Sequence, residues 1–168
     1  MENKRNQIFT TVLLCIYTLV LVWIVLLKMS SISDLRYLPC PRTVNLIPFH
    51  YDTEIKTHLS EIILNVFVFV PLGFLLGMLG IKVWKAVLIG FAVSFLFEAL
   101  QYVFAIGVTD ITDLITNTTG AALGACGYLL LCLIFRKPDK LNRVLNILAC
   151  IGMALFLSFA AFLLIANR

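Results

Sequence analysis

Five long apolar runs constrain this chain most strongly. Each contains about 20 predominantly apolar residues, the length that a helix needs to cross the hydrocarbon core of a bilayer. We therefore predict an all-α fold, a polytopic integral membrane helix bundle with five transmembrane helices, built as a single domain over residues 1–168. The predicted spans are Ile8–Leu27, Ile62–Ile81, Ala86–Ile106, Leu114–Phe135 and Val144–Ala166.

The composition supports a membrane protein and excludes several other classes. Hydrophobic residues make up 61% of the chain and charged residues only 13%, whereas a soluble domain carries about twice that charged fraction. The formal net charge of +4 comes from basic residues at the ends of the apolar runs rather than along one stripe. This pattern favours membrane helices over nucleic-acid binding. The cysteines show neither a metal-binding nor a redox spacing.

The distribution of Lys and Arg predicts the orientation in the membrane. With the N-terminus inside, eight basic residues lie on the inner side and five on the outer side, most of those five in the long loop 28–61. Cytoplasmic loops carry the excess of Lys and Arg, so we predict a cytoplasmic N-terminus and an extracytoplasmic C-terminus. The first run is longer than a signal-peptide core and no A-x-A-like site follows it, which predicts an uncleaved signal anchor.

Polar residues within the middle three spans form pairs at helical spacing. The pairs are Glu61 with Asn65, Glu98 with Gln101, and Asp113 with Asn117, and residues three or four apart share one helix face. In the predicted orientation every pair lies in the outer half of its span. Because a carboxylate within a span is costly unless it faces protein or water, we expect one outward-opening polar pocket.

Structural alternatives exist for several of these side chains. Asn65, Gln101 and Asn117 could be hydrogen-bonding contacts between helices. Asp110 and Asp113 could cap the fourth helix and complement its dipole. The Gly73-x-x-x-Gly77 and Gly120-x-x-x-Gly124 motifs predict close helix contacts, and Pro71 predicts a kink.

Known catalytic and cofactor motifs are absent from the sequence. It contains no P-loop, no nucleophile elbow and no zinc-protease motif. His50 and His58 stand near acidic residues in the long loop, but their spacing is irregular for a metal site. We therefore predict no metal and no cofactor.

Four stretches carry a family resemblance. They are NLIPF from Asn45, NVFVFVPLG from Asn65, FEALQ from Phe97, and FAIGVTDITDLITNTTG from Phe104. In these stretches the chain resembles the VanZ-like membrane proteins, and it is especially similar to the teicoplanin-resistance member of that family. The family's recurrent polar positions fall on Asn45, Asn65, Glu98, Gln101, Asp110, Asp113 and Asn117. Position 112, often acidic in the wider family, is Thr112 here, which speaks against a three-carboxylate metal site.

The resemblance implies a multi-pass protein of the bacterial cytoplasmic membrane that confers resistance to teicoplanin and related lipoglycopeptides. Our first hypothesis is a binding protein whose seven polar positions receive an amphiphile, either the drug, a membrane lipid or a lipid-linked cell-wall precursor. The alternative is an enzyme that modifies a lipid or cell-wall component at the outer face, with Glu98, Asp110 and Asp113 as candidate catalytic residues. An ion-coupled transporter is less favoured, because no inverted repeat is present. The sequence predicts no nucleic-acid partner and assigns no oligomeric state.

Overall fold

A computed structural model describes residues 2–26, 43–49, 55–135 and 138–166 of the chain. Leu27, the last residue of the first predicted span, and residues 28–42 and 50–54 of the predicted long loop, including Cys40 and His50, lie outside the described residues. The side chain of His58 also lies outside the described residues, so the expectation that His50 and His58 form no metal site stays a prediction.

Five long helices form the described structure, as the sequence predicts. They are α1 (Glu2–Leu21, followed by a π-helical turn over Val22–Leu26), α2 (Ile55–Met78), α3 (Val83–Phe104), α4 (Ile111–Phe135) and α5 (Pro138–Ala166). Each contains a segment long and apolar enough to cross a membrane. The protein is therefore an all-α helical membrane protein.

All five helices begin earlier than the hydropathy predicts. Helices α1, α2 and α5 start at Glu2, Ile55 and Pro138, six or seven residues before the predicted spans. Hydropathy marks the residues that favour lipid, whereas backbone hydrogen bonds continue through the polar residues that precede them. A transmembrane helix can therefore extend beyond its apolar run.

Helices α2 and α4 pack in close backbone contact through three glycines. A Cβ atom built on Gly73 would stand 1.9 Å from the carbonyl oxygen of Ala121. The corresponding distances are 2.2 Å from Gly120 to the Val66 oxygen and 2.0 Å from Gly124 to the Val70 oxygen. Only hydrogen fits in such spaces, so the two glycine motifs form a tight seam, as small residues do between membrane helices.

Helix α3 covers the other side of this seam. A Cβ on Gly90 would lie 2.4 Å from the Cβ of Ala121. The rings of Phe69 on α2 and Phe97 on α3 meet edge to face with centroids 6.4 Å apart, a favourable aromatic geometry. Both phenylalanines are buried, so α2, α3 and α4 form the central core.

Helix α1 joins α5 and α2 through hydrogen bonds. The hydroxyl of Thr10 donates to Oδ1 of Asn146 on α5 at 3.0 Å, and both side chains are buried. Nearer the middle of the bundle, the Tyr17 hydroxyl donates to the carbonyl oxygen of Val68 on α2. Val68 precedes Pro71, which lies inside α2, and backbone groups near a membrane proline commonly find such partners.

A short parallel strand pair ties the first loop to the connection between α3 and α4. Strand β1 (Val44–Asn45) pairs with β2 (Thr109–Asp110), with Val44 opposite Thr109 and Asn45 opposite Asp110. The backbone N–H of Thr109 also donates to the Thr43 carbonyl at 3.1 Å. This pairing brings together two segments that are far apart in sequence.

Candidate functional site

The chain reverses direction after α3 and folds back onto the end of that helix. Ala105 adopts the left-handed conformation, with φ of 53°, and the N–H of Ile106 donates to the Gln101 carbonyl at 3.1 Å. These bonds satisfy carbonyl groups that the end of a helix leaves without partners. The reversal returns Thr109 and Asp110 to the side of α3.

Glu98 anchors this returning segment. Its Oε2 accepts a 3.0 Å hydrogen bond from the backbone N–H of Asp110, and its backbone carbonyl accepts from the Thr109 hydroxyl at 3.2 Å. Only 4% of Glu98 is exposed. The carboxylate predicted as a candidate catalytic group is thus buried and holds the start of α4 against α3.

Asp110 caps α4 and binds strand β1 at the same time. Its Oδ1 accepts from the N–H of Thr112 at 2.7 Å, the pattern of a helix N-cap. Its Oδ2 accepts from Nδ2 of Asn45 at 3.0 Å. The Thr112 hydroxyl in turn accepts from the N–H of Phe49 at 3.0 Å. Asp110 therefore caps α4, as the structural alternative predicts. Through Asn45 and Thr112, the same cap also holds residues 43–49 against the start of α4.

Asp113 lies one turn further along α4 and bonds across to α2. Nδ2 of Asn65 donates to its Oδ1 at 2.7 Å, a short hydrogen bond of the charge-assisted kind. Both side chains are partly buried. The sequence predicts that Asn65 and Asp113 both lie in the outer half of their spans. This hydrogen bond joins them across α2 and α4.

Gln101 bonds to the end of the first helical segment. Its Nε2 donates to the carbonyl oxygen of Val25 at 3.1 Å, and only 5% of the residue is exposed. Val25 lies in the π-helical turn that ends the described part of this segment, where carbonyl groups need partners from outside the helix. Gln101 thus fixes the end of α1 beside α3.

Asn117 lies between α3 and α4. Its Nδ2 donates to the Ser94 hydroxyl at 3.0 Å, and both residues are at most 1% exposed. Its Oδ1 is buried and has no hydrogen-bond partner among the described residues. This arrangement matches the packing-contact alternative for Asn117.

A cavity of about 1340 Å³ lies between α1, α2 and α5, and one end of it reaches the site. The polar side chains at that end come from β1, α2, α3, the α3–α4 connection and α4, namely Asn45, Glu61, Asn65, Gln101, Asp110 and Asp113. The rest of the lining is predominantly apolar, with Leu13 and Val20 of α1, Phe67 and Leu75 of α2 and Met153 of α5 among its members.

The structure therefore divides the seven predicted site residues into two groups. Asn45, Asn65, Gln101, Asp110 and Asp113 line the cavity, whereas Glu98 and Asn117 do not. Helical spacing predicts which residues share a face of one helix. It does not predict which neighbouring helix that face contacts, since this depends on the reversal after α3 and on the α2–α4 seam. The predicted pairs Glu98/Gln101 and Asp113/Asn117 are consequently split.

Several polar residues at helix contacts went unpredicted. Ser94, Thr112 and the Thr10–Asn146 pair are all buried and hydrogen-bonded. The contact of Asn146 could have been predicted, because it is an amide within the apolar run of α5 and such groups need a hydrogen-bond partner inside a membrane. Hydroxyl groups give no such signal, since Ser and Thr commonly bond to their own helix.

Carboxylates dominate the charge of the cavity's polar end. Glu61, Asp110 and Asp113 contribute to its lining, and no Lys, Arg or His is among the described lining residues. Within the described part of the chain, no group of three or more His, Cys, Asp or Glu side chains is arranged to hold a metal ion. The arrangement suits hydrogen-bond donors or a positive charge on a ligand.

Comparisons with known proteins agree on one family. The family model described as VanZ/LLP1 matches residues 14–136 of the chain. Protein VanZ from Enterococcus faecium is 37% identical to it over 123 residues, which cover 71% of this chain and 73% of that protein. No solved structure matches the chain. The matched region holds all seven predicted site residues.

Proposed function

The chain belongs to the VanZ/LLP1 family, and from this premise we propose that it confers resistance to teicoplanin and related lipoglycopeptides by binding an amphiphile in the cavity. Family membership supports a function of the teicoplanin-resistance type. The amphiphile is the drug, a membrane lipid or a lipid-linked cell-wall precursor.

The observation that supports this proposal most directly is that one large cavity has a polar end and a predominantly apolar remainder. Its volume of about 1340 Å³ exceeds the 300–1,000 Å³ or so of most small-molecule sites, as a large amphiphile requires. Carboxylates and amides gather at one end and apolar side chains cover the remainder. A polar head group meets hydrogen-bonding partners at the first end, while an apolar tail leaves water along the rest.

The charge distribution supports an outward orientation of the polar end. The connection 105–110, which carries Asp110, contains no basic residue, whereas Lys82 and Lys85 flank the opposite turn of the bundle. Basic residues favour the cytoplasmic side. In this orientation the polar end opens at the outer leaflet. An amphiphile bound in the cavity is then no longer free at the outer face, where the cell wall is assembled.

The test is teicoplanin susceptibility of a sensitive bacterium that expresses the chain or its variants. Asp113→Asn removes one of the three carboxylate charges at the polar end, so resistance should fall markedly. A lost hydrogen bond to a charged group costs about 1.5–3 kcal/mol, which is about 10- to 100-fold in affinity. Asp139→Asn, in the first turn of α5 at the other end of the bundle, is the matched control and should leave resistance unchanged. Wild-type resistance in Asp113→Asn at equal expression would refute the proposal.

The same carboxylates also favour a second candidate, an enzyme acting on a lipid or cell-wall component. Glu61 and Asp113 line one cavity, and paired carboxylates can serve as general acid and base. Mass spectrometry of lipids and peptidoglycan distinguishes the two candidates. A mass change that appears with the wild-type chain and disappears with Asp113→Asn would favour the enzyme, whereas unchanged masses with intact resistance favour binding.

A further inference from the structure

Among the described residues, the cavity is least covered between α2 and α5. Leu64 and Phe67 of α2 line it, yet they are 58% and 71% exposed. Across from them, α5 contributes Gly152 and Met153, and no atom of the described residues lies within 4 Å of the position where a Cβ on Gly152 would stand. The cavity thus reaches the membrane-facing surface between α2 and α5.

The other helix pairs near the cavity are joined by contacts between the described residues. The glycine seam joins α2 to α4 with no room for a side chain. Hydrogen bonds join α1 to α5 at Thr10–Asn146 and α1 to α2 at Tyr17–Val68. An apolar group that enters from the lipid therefore finds its path between α2 and α5.

The apolar part of the cavity has the depth of one membrane leaflet. Along α2 its lining extends from Leu64 to Leu75, which is about 16 Å at the helical rise of about 1.5 Å per residue. Half of a bilayer's hydrocarbon core is about 15 Å thick. The depth fits the full alkyl chain of an amphiphile that stays in one leaflet.

We propose that the alkyl tail of the bound amphiphile enters sideways from the bilayer between α2 and α5 and lies along Gly152, with its head group at Asn65, Asp110 and Asp113. The inference rests on the proposed function and specifies how the cavity is filled. Because the described polar lining consists of carboxylates, amides and the Tyr17 hydroxyl, the head group belongs to the class that donates hydrogen bonds or carries an ammonium group.

Photolabelling in lipid nanodiscs tests the tail path. The probe is a hexadecyl ammonium compound with a diazirine near the end of its tail, and labelled residues are located by mass spectrometry. Leu13, Val20 and Leu75 line the cavity but are at most 7% exposed, so a label on them reports a tail inside the cavity. Leu148 and Leu155, which are 58% and 66% exposed on α5, report contact with bulk lipid.

Two glycine variants provide the matched comparison. Gly152→Phe fills the path and should lower labelling of Leu13, Val20 and Leu75 by about fivefold or more, as overpacking excludes the tail, with Leu148 and Leu155 unchanged. Gly127→Phe adds the same ring on α4, where a Cβ likewise meets no atom of the described residues within 4 Å, and Gly127 is not in the described lining of this cavity. It should label like the wild type.

Equal labelling of Leu13, Val20 and Leu75 in the wild type and in Gly152→Phe would overturn the tail path. A hexadecyl phosphate probe that labels them as strongly as the ammonium probe would overturn the head-group class. Neither result depends on drug resistance, whereas the proposed function fails by unchanged resistance in Asp113→Asn, so the two failures are distinguishable.

Discussion

Nδ2 of Asn65 donates a 2.7 Å hydrogen bond to Oδ1 of Asp113, and this bond joins α2 to α4 at the polar end of the cavity. The glycine seam holds the same two helices together deeper in the bundle. The seam fixes the distance between α2 and α4, and the bond between Asn65 and Asp113 spans that distance. It therefore holds the carboxylate of Asp113 in place at the cavity.

We expect Asn65 and Asp113 to be energetically coupled. In a double-mutant cycle of Asn65→Ala and Asp113→Ala, the coupling free energy should be about 0.6–1.7 kcal/mol, the range for hydrogen bonds between membrane helices. The measurement is the free energy of unfolding in detergent micelles. The control cycle replaces Asn65→Ala with Thr119→Ala, because the exposed Thr119 hydroxyl bonds within its own helix. Additive effects in the Asn65 cycle would contradict a functional bond.

Glu98 should behave as a positioning residue. Glu98→Gln keeps an oxygen that can accept from the N–H of Asp110, so unfolding stability and teicoplanin resistance should stay near wild type. Glu98→Leu leaves that N–H unpaired, which should destabilise the protein by about 1–3 kcal/mol and lower resistance through reduced folding. Thermal unfolding and susceptibility are measured on the same variants. A Glu98→Gln protein of full stability without resistance would instead assign Glu98 a catalytic role.

The glycine seam should be intolerant of a single methyl group. Gly73→Ala places a Cβ 1.9 Å from the Ala121 oxygen and should destabilise the protein by about 1–3 kcal/mol, as overpacking does. Gly127→Ala has open space and should stabilise it by about 0.5–1 kcal/mol through helix propensity. Unfolding temperatures in detergent provide the measurement, and equal temperatures for the two variants would argue against the seam.

The predicted orientation can be tested with single cysteines in a cysteine-free background. Val108→Cys lies in the exposed part of the α3–α4 connection, and Gly80→Cys lies in the exposed α2–α3 turn. With a cytoplasmic N-terminus, a membrane-impermeant maleimide should label Val108→Cys in intact cells and Gly80→Cys only after the cells are opened. The reverse pattern would invert the orientation and place the polar end of the cavity on the cytoplasmic side.

The sequence predicted the five helices because membrane insertion depends on a local property, about 20 consecutive apolar residues. It also predicted the close helix contacts, since Gly73 and Gly120 begin motifs with the required spacing. The strand pair of Asn45 with Asp110 was beyond prediction, because two-residue strands have no periodicity and their partner lies far along the chain.

The candidate site was predictable in composition but only partly in geometry. Depth and spacing brought Asn65 and Asp113 to the same level, and the structure joins them directly. The same reasoning could not separate Glu98 from Gln101, because a separation of three residues still leaves room to face different neighbours. The reversal at Ala105 brings Asp110 against Glu98. Of the two residues on α3, Gln101 therefore lines the cavity and Glu98 does not.

The α2–α4 seam also determines how late in synthesis the central core of this protein can form. Gly120 lies 47 residues after Gly73, so at a synthesis rate of about 5–20 residues per second α2 waits roughly 2–9 seconds for its partner. During that interval its glycine face has only α1 and then α3 beside it. A quality-control protease or an insertion factor that recognises bare glycine faces would therefore meet this chain at one defined stage of its biogenesis, after α2 has entered the bilayer and before α4 has.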